Sequence, residues 1–277
     1  MIKSDKTLLF ILMTLALFIG ATIELSEGST TIGVILLLAA VAAITQIRLS
    51  ERKDIRVSKI YISIGALIVF ATLFYNFRAT SSLGTLDSMT FFFGASLIAY
   101  GTDRPQLRHL GEFGAYISGV FTALYLVFYS LFGMLNIGFL HLFDHYLVLV
   151  PTVTIIQLFG IPVDVVGIET VNLAGVENLT IIIGGPCSGL YSMFLLIGIV
   201  AGYSRIEKMK LDQTLNLLGF AIIVAYVSNL VRVVILYLAA YYYGLEAMRI
   251  VHTHLGWIIF AFVAGMIMYI MDLKSRR

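Results

Sequence analysis

The chain has 277 residues, 60% of them hydrophobic and 12% charged, with a formal net charge of +2. A soluble domain carries roughly a quarter charged residues, so the composition excludes a large soluble core and points to an integral membrane protein. The small net charge gives no sign of a nucleic-acid partner, and a single cysteine excludes an intrachain disulfide and any multi-thiolate metal site.

A membrane span needs about 20 apolar residues. About eight stretches reach or approach that length: Thr7–Leu25, Thr31–Ile47, Ile60–Phe77, Leu86–Tyr100, Ala115–Leu140, Ser188–Tyr203, Leu215–Tyr242 and Ile250–Met271. Their apolar runs are continuous rather than alternating, which favours helices over a barrel. The first run is long enough to span and no small-residue cleavage motif follows it, so it reads as a retained helix. The expectation is an all-α polytopic membrane protein, with a four-helix N-terminal region over 1–110 and a second membrane region over 111–277.

Lysine and arginine set the topology. Basic clusters fall at Lys3/Lys6, Arg48–Lys59, Arg104/Arg108, Arg205–Lys210 and Lys274–Arg277, and the loops between them carry at most one basic residue. From His109 to Ser204 there is no Lys or Arg. Both termini are therefore expected on the cytoplasmic side of the cell membrane, and the stretch from His141 to Cys187 outside. Within it, His141 to Phe159 reads as an amphipathic or re-entrant helix, with Pro151 as a kink or start. Ile161–Ile168, Val171–Val176 and Leu179–Ile183 are short β-branched runs separated by Gly, Asn and Glu. They predict a small extracellular β element of two or three strands before the cysteine.

Cys187 sits in Gly184-Gly185-Pro186-Cys187-Ser188-Gly189-Leu190, where this polar segment meets an apolar helix. Backbone N–H groups and the helix dipole at such a start favour a thiolate and could hold an oxyanion. Gly185 and Gly189 leave room for another backbone to approach. Alone, a single cysteine is equally a packing residue. Arg232 shifts the balance, because an arginine within Leu230–Leu236 is costly in a bilayer and marks a functional site by default. Counting about twenty residues from Asp212 at roughly 1.5 Å each puts Arg232 about 30 Å up, at the level of Cys187. Asn229, three residues earlier, shares its helix face. His252 and His254 open the last span at the same depth and point roughly 200° apart, so one of them faces Cys187. Cysteine with histidine is a nucleophile–base pair, and arginine stabilises a thiolate or an oxyanion. A competing zinc set is His141 and His145, spaced i,i+4 around Asp144, with one of the later histidines. Tyr191 and Tyr237 read as helix packing.

Pro186-Cys187-Ser188-Gly189-Leu190, Ser228-Asn229-Leu230-Val231-Arg232-Val233 and His252 ahead of Gly256-Trp257 resemble, in order and spacing, the exosortase/archaeosortase family. The likeness covers mainly Tyr146 to Phe262. It implies a membrane cysteine protease or transpeptidase without cofactor or metal, whose catalytic core is the 111–277 region. Its partners would be surface proteins with a C-terminal tripartite signal of motif, apolar helix and basic tail. It would cleave near the motif and pass the new C-terminus to a membrane phospholipid. The implied catalytic residues are Cys187, Arg232 and His252, with His254 as the alternative and Asn229, Ser188 and Gly189 in support. A compact eight-span chain without a fused soluble domain looks more like an archaeosortase than a bacterial exosortase. Rival readings are a transporter with Arg232 as its substrate site and a zinc-dependent membrane hydrolase.

Overall fold

A computed structural model describes residues 30–45, 57–79, 84–184 and 187–275, together with 17, 20 and 21. Most of the expected first span, most of the Arg48–Lys59 cluster, and Gly185 and Pro186 lie outside the described residues.

Among the described residues, five helical elements from Thr30 onward precede a small sheet. They are α1 (Thr30–Thr45), α2 (Lys59–Ala79), α3 (Thr85–Gly101), α4 and α5. Helix α4 starts at Pro105, where the missing N–H costs nothing, and runs through a π-helical stretch, Leu126–Leu131, to Met134. Helix α5 (Phe139–Leu158) also contains a π-helical stretch, Asp144–Leu149. Pro151 follows directly on those widened turns. A proline inside a regular α-helix would strike the carbonyl four residues back. After the sheet come α6 (Leu190–Ile206) and a 65-residue helical stretch, Leu211–Ser275. Gly244, at φ 81° and ψ −171°, breaks it into α7 (residues 211–243) and α8 (residues 245–275).

Among the described residues, four stretches are long and apolar enough to cross a membrane: Lys59–Arg78, Leu107–Met134, Phe139–Leu158 and Leu211–Met271. At 1.5 Å per residue the last is about 90 Å of helix, and Gly244 divides it into two. Helices α3 and α6 have 17 residues each, at the short end of the spanning range. The membrane class expected from composition is therefore present, while the count of about eight spans is met by these four stretches only in part. The added member is α5, read from the sequence as amphipathic or re-entrant. Both of its ends meet β1 and the turn that follows it: His145 Nδ1 lies 2.6 Å from the Ile168 carbonyl, and Gln157 Nε2 donates to the Val163 carbonyl at 3.4 Å. From His145 to Gln157 the helix climbs about 18 Å. An extended chain from Val163 to Ile168 covers about 17 Å. Helix α5 thus runs alongside the sheet edge.

The sheet has three antiparallel strands in the order β1 (Val163–Val165), β2 (Thr170–Ala174) and β3 (Asn178–Ile182). The register pairs Val163 with Leu173 and Val171 with Ile181. All four are buried on one face and join a core with Leu149, Ile156, Phe194 and Tyr237. The alternation of β-branched and polar residues sets this face, because successive side chains point to opposite sides. On the other face the Thr180 hydroxyl donates to Asn172 Oδ1 at 2.8 Å.

The β2–β3 turn grips the break between α7 and α8. Val176 N–H donates to the Tyr241 carbonyl at 3.0 Å, and a Cβ on Gly175 would meet that same carbonyl oxygen at 2.5 Å. Leu245 N–H donates to Glu177 Oε2 at 3.0 Å. A carboxylate at the first turn of α8 satisfies an orphan donor and complements the helix dipole. Elsewhere the helices approach through small residues, as membrane helices do. Gly65 of α2 and Gly94 of α3 face each other's carbonyl oxygens, and Gly198 of α6 lies on the Ile117 backbone of α4.

The break supports a prediction. Gly244→Ala puts a Cβ 3.0 Å from the Glu177 carboxyl on a backbone with φ of +81°. It should cost about 1–3 kcal/mol. Glu177→Ala should cost about 1 kcal/mol through the lost cap. Thermal unfolding in detergent reads both, and the first loss should exceed the second.

Candidate active site

Four segments meet at Cys187. The first is the turn from β3 into α6. Cys187 N–H donates to the Gly184 carbonyl at 3.0 Å, and Leu190 N–H donates to Ser188 Oγ at 3.4 Å. Gly189 closes the turn in the left-handed region at φ +81° and caps α6. The sulfur therefore sits just ahead of the helix start.

Helix α7 supplies the second segment. The Asn229 amide Nδ2 donates to the carbonyls of Cys187 and Ser188 at 3.1 and 3.0 Å. A Cβ on Gly189 would stand 2.4 Å from Asn229 Cγ, so the glycine is required by both its φ and its neighbour. The sequence expects a backbone against this glycine; a side chain occupies the space instead. One turn further along α7, Arg232 carries its charge toward Cys187. Its guanidinium lies over Gly256 of α8, where a Cβ would meet Cζ at 3.1 Å.

Helix α8 is the third segment. One turn before Gly256, His252 places Nδ1 3.7 Å from Cys187 Sγ. Of the two candidate histidines, His252 is the one whose ring nitrogen faces the sulfur. Cys187, Arg232, His252 and Asn229 are thereby gathered from three elements far apart in the chain. Beneath Arg232 a pocket opens between α6, α7 and α8, lined by Ser192, Leu196, Ala225, Ser228, Phe260 and Val263.

The fourth segment comes from α4 and α5, and sequence reasoning missed its part here. Asp144 is 4% exposed and its charge bears on Cys187. Tyr129 of α4 faces Ser188 and Tyr191, and its ring lies 4.5 Å from Tyr125 and 5.6 Å from Tyr191. Tyr237 of α7, 1% exposed, is near enough to Cys187 for charge on the sulfur to bear on it. Tyr191 and Tyr237 are thus neighbours of the site as well as packing residues. A lone acid in an apolar run was the available signal for Asp144, and it entered only as a companion of two histidines. Those histidines are engaged with the β1–β2 turn: His141 Nδ1 pairs with Glu169 Oε1 at 2.5 Å, and His145 with the Ile168 carbonyl. Among the described residues no three His, Cys, Asp or Glu side chains group as metal ligands. The zinc reading therefore has no clustered donor set to rest on.

Electrostatics at the sulfur correct one expectation. The helix start is expected to favour a thiolate. In the fold, burial pushes the Cys187 thiol up; the Arg232 guanidinium pulls it down, and Asp144 adds a further upward push. The thiol is withdrawn from water ahead of the helix start, so desolvation of the charged form outweighs the cation beside it. A thiol so placed gives up its proton less readily than an exposed one, and His252 Nδ1 is the ring nitrogen that approaches it.

The transmembrane exosortase family model matches residues 24–269. The chain belongs to the transmembrane exosortase family. The match contains Asp144, Cys187, Asn229, Arg232, Tyr237 and His252. No curated protein and no solved structure matches the chain. Membership, with the apolar helices, makes it a multi-pass membrane protein of a transpeptidase family that acts on protein substrates.

Alkylation of Cys187 against pH tests the electrostatics, since the thiolate is the reacting form. Its midpoint should lie above that of an exposed cysteine. Arg232→Gln removes a positive charge and should move the midpoint further up. Asp144→Asn removes a negative charge and should move it down. The readout is the labelling rate of the Cys187 peptide by mass spectrometry, and the two variants should shift in opposite directions.

Proposed function

We propose that this chain is a membrane-embedded cysteine transpeptidase of the archaeosortase kind. It cleaves the C-terminal sorting signal of surface proteins and transfers the new C-terminus to a membrane phospholipid. The observation that carries this is the 3.7 Å approach of His252 Nδ1 to Cys187 Sγ, with Arg232 beside the sulfur. The basic loops support an orientation with both termini cytoplasmic and the site at the outer face. Seen from α7, Arg232 lies about 30 Å above the cytoplasmic start of the helix, near the far edge of the hydrocarbon core.

The steps follow from the groups present. His252 takes the Cys187 proton, and the thiolate attacks the carbonyl carbon of the scissile peptide bond. Negative charge develops on the carbonyl oxygen, where the Arg232 cation stabilises it in a water-poor setting. The protonated His252 then gives its proton to the leaving amine, and the C–N bond breaks. A thioester remains on Cys187 while the cleaved helix and basic tail depart. A lipid nucleophile attacks the thioester, its proton goes to His252, and the thiolate leaves. Asn229 holds the Cys187 and Ser188 carbonyls and so fixes the sulfur's position through the turn. It acts as a positioning residue in this scheme. The protein partner's own apolar helix docks from the bilayer and presents its motif at the site.

Cys187→Ala should leave the surface protein full-length and membrane-spanning, read by mass spectrometry of its C-terminus. Arg232→Gln and His252→Ala should each reduce processing at least about 100-fold, given the usual worth of charge stabilisation and proton transfer. Normal processing in Cys187→Ala would eliminate the thiol mechanism.

A further inference from the structure

Among the described residues, two polar atoms near Cys187 are buried without a hydrogen-bond partner: Asp144 Oδ1 of α5 and the Tyr237 hydroxyl of α7. Their residues are 4% and 1% exposed. Each is close enough to Cys187 for charge on the one to bear on the other, and they come from different elements. A buried polar atom left unpaired costs the fold free energy, and such atoms in native structures call for an explanation in function. Their chemistry is complementary. A carboxylate oxygen accepts, and a phenol donates. A peptide group offers one N–H and one carbonyl.

The surroundings of Asp144 favour a donor arriving from outside the fold. The charged groups facing it are Glu169 and His141, and these pair with each other at 2.5 Å. Asp144 also opens a π-helical stretch, and Tyr129, which feels its charge, lies in the other one. Single π-helical turns within helices occur frequently at functional sites.

We propose that Asp144 and Tyr237 bind the peptide that reacts at Cys187. The Tyr237 hydroxyl donates to the carbonyl oxygen beside the sulfur, and Asp144 Oδ1 accepts the N–H of a neighbouring peptide group. The pair holds the backbone of the segment, whatever its side chains, while Arg232 and His252 serve the bond being broken. This extends the reading of Cys187 as a nucleophile toward a peptide.

The test uses the full chain in detergent and small thiol reagents, so it needs no sorting-signal substrate. Iodoacetamide and methyl iodoacetate are both neutral, both carry a carbonyl, and both alkylate a thiolate with loss of iodide. Only the amide has an N–H. Their rate ratio at Cys187 cancels the thiolate fraction, which Asp144 also influences. In the wild type the ratio should favour iodoacetamide by about 10-fold over the ratio for free cysteine, the worth of one charged hydrogen bond. Asp144→Leu should return it to the free-cysteine value, and Asp144→Asn, which still offers an acceptor oxygen, should keep most of it. Tyr237→Phe should slow both carbonyl reagents about 10-fold relative to methyl methanethiosulfonate, which has no carbonyl, and leave their mutual ratio unchanged. A wild-type ratio equal to that of free cysteine overturns the proposal without any variant. So does an unchanged ratio in an Asp144→Leu protein that elutes and melts like the wild type. Normal processing by Cys187→Ala would defeat the transpeptidase reading and leave these labelling ratios standing, so the two failures are distinguishable.

Discussion

The site depends on a wedge. Helix α7 pushes two polar side chains, one turn apart, into two glycines on its neighbours. Asn229 fills the space over Gly189 at the start of α6, and Arg232 fills the space over Gly256 in α8. An alanine at either glycine would put a methyl group where a polar side chain now lies. The amide is held by two carbonyls of the cysteine turn, so it is satisfied where water is scarce, as a buried amide must be. The wedge sets the distance between α6 and α8 and hence between Cys187 and His252.

The sheet and α5 act as a second frame around that wedge. The β2–β3 turn clamps the break at Gly244 and caps α8 through Glu177, which fixes where α8 begins and so where His252 stands. At the opposite end of the sheet the Ile183 N–H donates to the Glu169 carbonyl at 2.8 Å. The strand leading into the cysteine turn is thereby tied to the β1–β2 turn, and that turn in turn to His141 and His145 of α5. One small sheet therefore connects α5, α6, α7 and α8 around the sulfur. At the sulfur, burial opposes the charged form, the Arg232 charge favours it and the Asp144 charge opposes it.

Much of this was legible from residue order because the signals are local. Charge deficit and continuous apolar runs declare a membrane protein, since a bilayer leaves the backbone few other options. Short β-branched runs cut by Gly, Asn and Glu declare the three strands. The cost of an arginine in an apolar helix marks Arg232 as a residue to explain, and its three-residue spacing from Asn229 puts both on one face. Other features were not legible. Helix α5 is apolar enough to span, yet it meets both β1 and the turn that follows it, and only long-range contacts with Val163 and Ile168 show it. Asp144 and Tyr237 are single polar residues in apolar helices, and nothing in the local pattern says which neighbour a lone polar residue faces.

By itself, then, the sequence determined the membrane class, the strand-forming stretch and a set of polar residues that apolar helices would not carry for packing alone. These follow from solvation and from the periods of helix and strand, which act within a few residues. The tertiary structure decided which histidine turns toward the sulfur, and which glycines receive Asn229 and Arg232. It also withdrew the thiol from water, which opposes the thiolate that a helix start favours. Those outcomes depend on the crossing of helices far apart in the chain and on how much water their packing leaves, and no local pattern encodes either.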